Sequence, residues 1–252
     1  MSTLSRRAFH ESTLATLLGY AFLETVFRGE ALSDEMKVVA RKWLLDLQTM
    51  GRDLKDRKLT QVEWQKKVEE LFTSVDVMEF MQFIDFEKLT ANVKLPGSGE
   101  RSLRARLPQV EGLPTGLVFG HQVFALAKGR SVVPHGHNNM ATAFLILKGD
   151  FHGRLFDRLE DPDNDHMIIR PTVDRKFGVG EASTISDDKD NVHWFKAETE
   201  GSYIFNIHVD NLTPNFPRPT GRVYVDPNGE KLSDDRLRCR KVGSEEIYKL
   251  YG

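Results

Sequence analysis

The chain reads as a mainly β protein in which a barrel follows an N-terminal α-helical region, and three observations carry that reading. From Leu117 onward, short runs rich in Val, Ile, Phe and Thr alternate with Gly, Asp, Asn and Pro turns: LVFGHQVFALA, ATAFLIL, FHGRLF, HMIIRPTV, ASTIS, VHWFKA, SYIFNIHV and GRVYV. Many short strands at this spacing indicate an all-β sandwich or barrel. Between Ser33 and Val93 the apolar residues recur instead at helical spacing. There is no βαβ alternation and no Gly-rich phosphate loop, and GEASTIS lacks the strand–turn–helix setting of a nucleophilic serine.

Composition narrows the function classes. The 252 residues are 40% hydrophobic and 29% charged, with a net charge of −2. That is an ordinary globular balance with length for a sizeable core. It gives no broad electrostatic pull toward nucleic acid or an anionic membrane. The lone cysteine, Cys239, excludes an intrachain disulfide and a Cys-rich zinc site. Any metal must therefore use His, Asp or Glu.

Residues 1–31 have two readings. Arg6-Arg7, the apolar run from Leu14 to Leu23 and the small residues at Gly29-Glu30-Ala31 resemble a twin-arginine export signal, which would make the protein periplasmic. The other reading is an amphipathic first helix in a cytoplasmic protein, with Glu24 and Arg28 on its wet side. The run is too short for a stable membrane anchor.

Residues 32–93 form the helical region. Ser33 can cap a helix whose first turn holds Asp34 and Glu35, where the helix dipole favours acids. Val38, Val39, Trp43, Leu44 and Leu47 give its apolar stripe. Thr60 with Glu63 makes a capping box ahead of Val62, Val68, Leu71 and Phe72. A third segment runs from Val75 to Leu89 with Phe80, Met81, Phe83 and Ile84. These stripes are core faces, packed on the barrel or forming a dimer contact.

Residues 94–116 are rich in Gly, Pro and charge and read as a linker. Arg101, Arg104 and Arg106 are either solvated, or one of them folds over the barrel mouth to hold a carboxylate. The barrel is expected over 117–226, with a C-terminal extension over 227–252.

The chemistry is concentrated in GRSVVPHGHNNMATAFLILKG, from Gly129 to Gly149. His135 and His137 at i and i+2 share one strand face. His193, in DNVHWF, begins another apolar strand and can return to the same pocket. Three neutral imidazoles from two strands can hold one metal ion.

These residues carry a resemblance. The span from Gly129 through His135-Gly-His137 to Gly149 is similar to the first motif of the cupins, the jelly-roll (double-stranded β-helix) barrels of many metal-dependent oxygenases. Ala141-Thr142 stands where common cupins place a glutamate ligand. Retention of three histidines without it resembles the thiol dioxygenase branch. LKGDFHGRLFDRLEDP, with His152, Phe156 and Asp157, and DNVHWFKA followed by YIFNIHV resemble the cysteamine dioxygenase and plant cysteine oxidase family over roughly Val118 to Leu212. Asn206 replaces that family's usual aspartate, and Leu212-Thr213-Pro214 replaces its Pro-Pro-Tyr turn.

The resemblance implies a mononuclear Fe(II) site of His135, His137 and His193, with a small-molecule thiol and O2 as substrates and a sulfinate as product. Three neutral ligands leave the full +2 charge and open positions for a thiolate and dioxygen. Zinc, manganese or nickel would imply other chemistry: a non-thiol dioxygenase, an isomerase or a hydrolase. A non-catalytic ligand-binding cupin is a further alternative.

Asn206, His208, Tyr203 and Arg154 are the candidate substrate-facing residues. His152 is a candidate for orienting a ligand imidazole, as are the carboxylates Asp187, Asp188 and Asp190, which otherwise read as turn residues. His121 and His166 are weaker. Exposed strand edges make a homodimer plausible without selecting one.

Overall fold

The computed structural model describes residues 33–252. The expected export signal or first helix over 1–31 lies outside the described residues. Helix α1 spans Asp34–Lys55 and starts where expected: the Ser33 hydroxyl accepts the Met36 N–H at 3.2 Å. Helix α2, Gln61–Thr73, opens with both halves of the Thr60–Glu63 capping box. The expected third segment is two short helices, α3 (Val77–Phe83) and α4 (Phe86–Thr90). The break is at Asp85, whose φ of 50° is left-handed and cannot continue a helix.

Eleven strands follow. The first sheet has the order β1-β2-β9-β4-β7, with β1 at Arg101–Leu103, β2 at Gly120–Leu126, β9 at Ser202–Asp210, β4 at Met140–Lys148 and β7 at Ala182–Ile185. The second layer closes on itself in the order β10-β11-β6-β5-β8-β3. Its strands are β3 (Ser131–Asn138), β5 (Phe151–Glu160), β6 (His166–Phe177), β8 (Val192–Ala197), β10 (Gly221–Lys231) and β11 (Leu237–Lys241). Every pairing is antiparallel. This is a mainly β jelly-roll barrel behind a helical layer, as the sequence indicates.

Strand β9 shows how the layers are held. Tyr203, Phe205, Ile207 and Val209 join the helix-side core with Trp43, Phe72 and Phe80. Phe80 and Phe205 meet edge to face at 4.8 Å, and Trp43 stacks on Phe72 at 5.7 Å. The intervening Ile204 turns to the other face, into the core between the sheets with Phe124, Phe144, Phe151 and Phe195. A strand alternates its side chains, so one sheet serves both cores. Continuous burial along β4 and β9 follows from that double cover.

The linker is not all loop: β1 pairs with β2 inside it, while Arg101, Arg104 and Arg106 stay exposed. Strand β10 continues past Asp226, and β11 lies wholly inside the stretch read as an extension. The β10–β11 register shifts between Asp226 and Glu230, and this bulge accommodates Pro227 within the strand. Gly229 is required there, since a Cβ would lie 2.3 Å from the Arg238 carbonyl oxygen. A final helix, α5, spans Ser244–Tyr251. No described helix is long and apolar enough to cross a membrane.

Candidate metal centre

Strand β3 places His135 and His137 on one face, and β8 sets His193 directly opposite His135. The β3–β8 register shifts between Val132 and His135, around Pro134, which has no N–H for the ladder. Imidazole centroids are 4.1 Å apart for His135–His193, 5.0 Å for His135–His137 and 5.0 Å for His137–His193. One ring nitrogen from each lies within 4.8 Å of the others. All three residues are buried.

The hydrogen bonds suit metal ligation. His135 Nδ1 donates to the Val133 carbonyl at 2.7 Å, which leaves Nε2 with its lone pair. His193 Nδ1 faces the Asn191 carbonyl at 3.5 Å, and its buried Nε2 has no partner among the described residues; nor has His137 Nδ1. Buried polar atoms are rarely left so. A divalent cation is the species this donor set fits, and His135, His137 and His193 are the residues that can hold it.

All three imidazoles are kept neutral. Burial pushes His135 and His137 well below the ordinary histidine range, and the Arg222 guanidinium adds to the effect in both. His193 is pushed down to about 3, again by burial first and Arg222 second. Neutral imidazole is the ligating form.

Asn191 fixes His137 through the backbone. Its Oδ1 accepts the His137 N–H at 3.2 Å, and its Nδ2 donates to the His137 carbonyl at 3.1 Å and the Ser186 carbonyl at 2.9 Å. Gly136 makes this possible: a Cβ there would stand 2.6 Å from Asn191 Oδ1. The Asn191 loop is gripped from the helical layer. Gln65 of α2 accepts from Ser186 Oγ at 2.8 Å and donates to the Thr184 carbonyl at 3.0 Å, while Gln61 accepts the Asp187 N–H at 2.8 Å.

Arg222 and its partners are absent from the sequence reading. Register sets Arg222 opposite His137 and Tyr224 opposite His135, so both share the histidines' face. Arg222 pairs with Glu100 at 2.7 Å and lies 5.7 Å above the Phe124 ring. Glu100, from the linker, also accepts the Tyr248 hydroxyl of α5 at 3.1 Å. The available signal was the alternation in GRVYV, which gives Arg222 and Tyr224 one face.

The other candidates divide by strand face. Asn206 faces the site side: it is paired with Phe144, whose ring is 5.2 Å from that of His193. Its Nδ2 donates to Thr142 Oγ1 at 2.6 Å, and its Oδ1 accepts from Gln122 at 3.1 Å. His208 has the same parity on β9, packs against Gly120, and is among the groups that lower His137.

Tyr203 has the opposite parity and stacks edge-on against Phe86 at 5.2 Å, within the helix-side core. Arg154 is on the reverse face of β5, 3.2 Å from Asp174. His152 is there too, bonded to Asp174 rather than to a ligand imidazole. His121 Nε2 donates to the Ala105 carbonyl at 3.1 Å, and His166 bonds Asp163. Among the described residues, the carboxylates before His193 bond no imidazole. Asp187 accepts the Asn139 N–H at 3.0 Å, and Asp190 accepts from Thr172 Oγ1 at 2.5 Å. Amide Asn191, not an aspartate, is the residue that steadies the histidines.

No family model matches the chain, and no curated protein matches it. Solved structures that align with it are distant. A double-stranded β-helix protein from Klebsiella pneumoniae subsp. pneumoniae aligns at 9% identity and TM-score 0.35, over 54% of this chain and 87% of that one. A recombinant oxalate oxidase in complex with glycolate aligns at 17% identity and TM-score 0.34, over 51% and 55%. The chain spans only 21% of procruciferin, the 11S globulin from Brassica napus, at 12% identity and TM-score 0.29 over 37% of this chain. Likenesses at this level carry no argument about activity. The fold rests on strand order, and the candidate centre rests on the convergence of His135, His137 and His193.

Proposed function

We propose that the chain is a mononuclear non-haem iron dioxygenase that converts a small thiol to its sulfinate. The observation that carries the reading is the buried trio of neutral imidazoles, with no carboxylate beside them among the described residues. Bound Fe(II) supplies a +2 centre that lowers the pKa of a thiol and activates O2.

The chain's own residues do the rest. His135, His137 and His193 would hold the ion. Phe144 packs on His193 at 5.2 Å and helps exclude water from that side. The Arg222 cation disfavours protonation of the imidazoles and favours an anionic thiolate near them. Glu100 and Tyr248 hold that guanidinium in place. Asn206 and His208 are the remaining candidates for facing the substrate. The reaction balances without another reductant: a thiolate and one O2 give a sulfinate, sulfur losing the four electrons that oxygen gains.

The test is metal analysis of protein purified without added metal, followed by oxygen uptake of the iron-loaded protein with cysteine, cysteamine and mercaptopropionate. Uptake with sulfinate formation is expected. No sulfinate from any of the three, or stoichiometric zinc, manganese or nickel in the isolated protein, refutes the thiol reading.

A further inference from the structure

A surface cavity lies on the opposite side of β5 and β8 from the histidines. Its volume is about 650 Å³, and its lining sets Lys128, Arg154, Lys176 and Lys196 beside His152, Trp194 and one carboxylate, Glu198. That volume is in the range of small-molecule sites. Strand parity separates it from the metal centre: Trp194 and Lys196 alternate with His193 and Phe195 along β8.

Register arranges the basic side chains. His152 is paired with Lys176 on one side and Lys196 on the other, forming a row across β6, β5 and β8. The backbones of the outer two strands are about 10 Å apart, from ordinary strand spacing. The neighbouring row is Asp174, Arg154 and Trp194. Arg154 lies over the Trp194 ring at 4.9 Å, and Tyr251 packs edge-on against the same indole at 5.0 Å. The floor is thus a fixed guanidinium on a braced aromatic.

Acids answer only part of this charge. Lys176 pairs with Glu198 at 3.0 Å, and Arg154 and His152 share Asp174. Lys128 and Lys196 form no ion pair among the described residues, and both are exposed. The whole chain has a net charge of −2, so this wall departs from the protein's own balance. Like charges gathered on one sheet face oppose folding unless an anion meets them.

We infer that this cavity binds a small polyanion, a molecule with two or more phosphate, sulfate or carboxylate groups spaced to bridge Lys196 and Lys128 to Arg154. Concavity and size favour a compact ligand over a linear polymer. The inference is independent of the reaction proposed at the histidines.

The test is calorimetric titration of the full chain with naphthalenetrisulfonate, whose sulfonates do not strip metal ions, at physiological salt. Saturable one-to-one binding is expected. The Lys128→Gln/Lys196→Gln double variant should bind about tenfold more weakly, the product of two partly exposed charge contacts. Lys42→Gln, on α1, should bind as the parent does. Exposed lysines allow the variants to fold, which thermal melting checks. Three outcomes each overturn the inference: no saturable binding, equal binding by parent and double variant, or binding of heparin without binding of the trisulfonate, which would assign the face to a polymer.

Discussion

Replacing Gln65 with Leu should damage the metal centre from across the sheet. Gln65 is buried in α2, and its amide, with that of Gln61, links the helical layer to the loop that carries Asn191. Leucine fills a similar space but removes the bonds of the Gln65 amide to the Ser186 hydroxyl and the Thr184 carbonyl, while Ser186 Oγ still accepts the Asp188 and Lys189 N–H groups. Losing the two bonds costs about 1–3 kcal/mol in total. A urea titration of the metal-free protein should show this as a lower midpoint at constant slope.

The more telling consequence is at His137. Asn191 bonds both the N–H and the carbonyl of that residue, so a looser loop lets the imidazole wander. Loss of supporting contacts of this kind typically weakens metal binding about 10–100-fold. Competition of the variant against a chelator for Co(II) measures it, and the visible bands of bound Co(II) report ligand geometry. If Gln65→Leu lowers stability but leaves Co(II) affinity and spectrum unchanged, α2 merely covers the sheet and the linkage argument is wrong.

Other outcomes follow from the same geometry. Gly136→Ala forces a Cβ against Asn191 Oδ1, 2.6 Å away, and should cost about 1–3 kcal/mol while weakening metal binding, read by urea and chelator titrations. Phe205→Ala removes the ring shared by Trp43, Phe72 and Phe80 and should cost about 3–5 kcal/mol with metal affinity retained. Metal-free protein should lose stability as pH falls below the ordinary histidine pKa of about 6.5, because the unfolded chain takes up protons that the buried imidazoles refuse. Each such histidine contributes up to about 1.4 kcal/mol per pH unit, His121 adds in the same direction, and His193→Gln should flatten the slope between pH 7.5 and 5. Lowered carboxylates such as Asp163 and Asp174 titrate below that window and do not mimic the effect.

Local signals were readable wherever one segment carried them whole. Ser33 and the Thr60–Glu63 pair mark helix starts, because caps act within a single turn. The HGH spacing and the apolar run at His193 mark strands whose shared face the register then confirms. Tyr203 was misjudged although parity forbids it from sharing a face with Asn206; a strand buried on both sides hides which parity is which. Arg154 fails similarly, facing away from the histidine side. Glu100, Tyr248 and Arg222 come from three distant segments, and only folding brings their charges together. The end of β10 and all of β11 fell in the stretch read as an extension, because the bulge between Asp226 and Glu230 interrupts the strand pattern there.

Strand β9 answers to two different selective demands along its length. Residues 203, 205, 207 and 209 face the helices, whereas 204, 206 and 208 face the space between the sheets. A saturation library across this strand should therefore separate with a period of two. Odd-numbered substitutions should lower the amount of folded protein, and substitutions at 206 and 208 should leave abundance higher while altering what the centre holds. A single short stretch of chain would then report, residue by residue, on stability and on chemistry in turn.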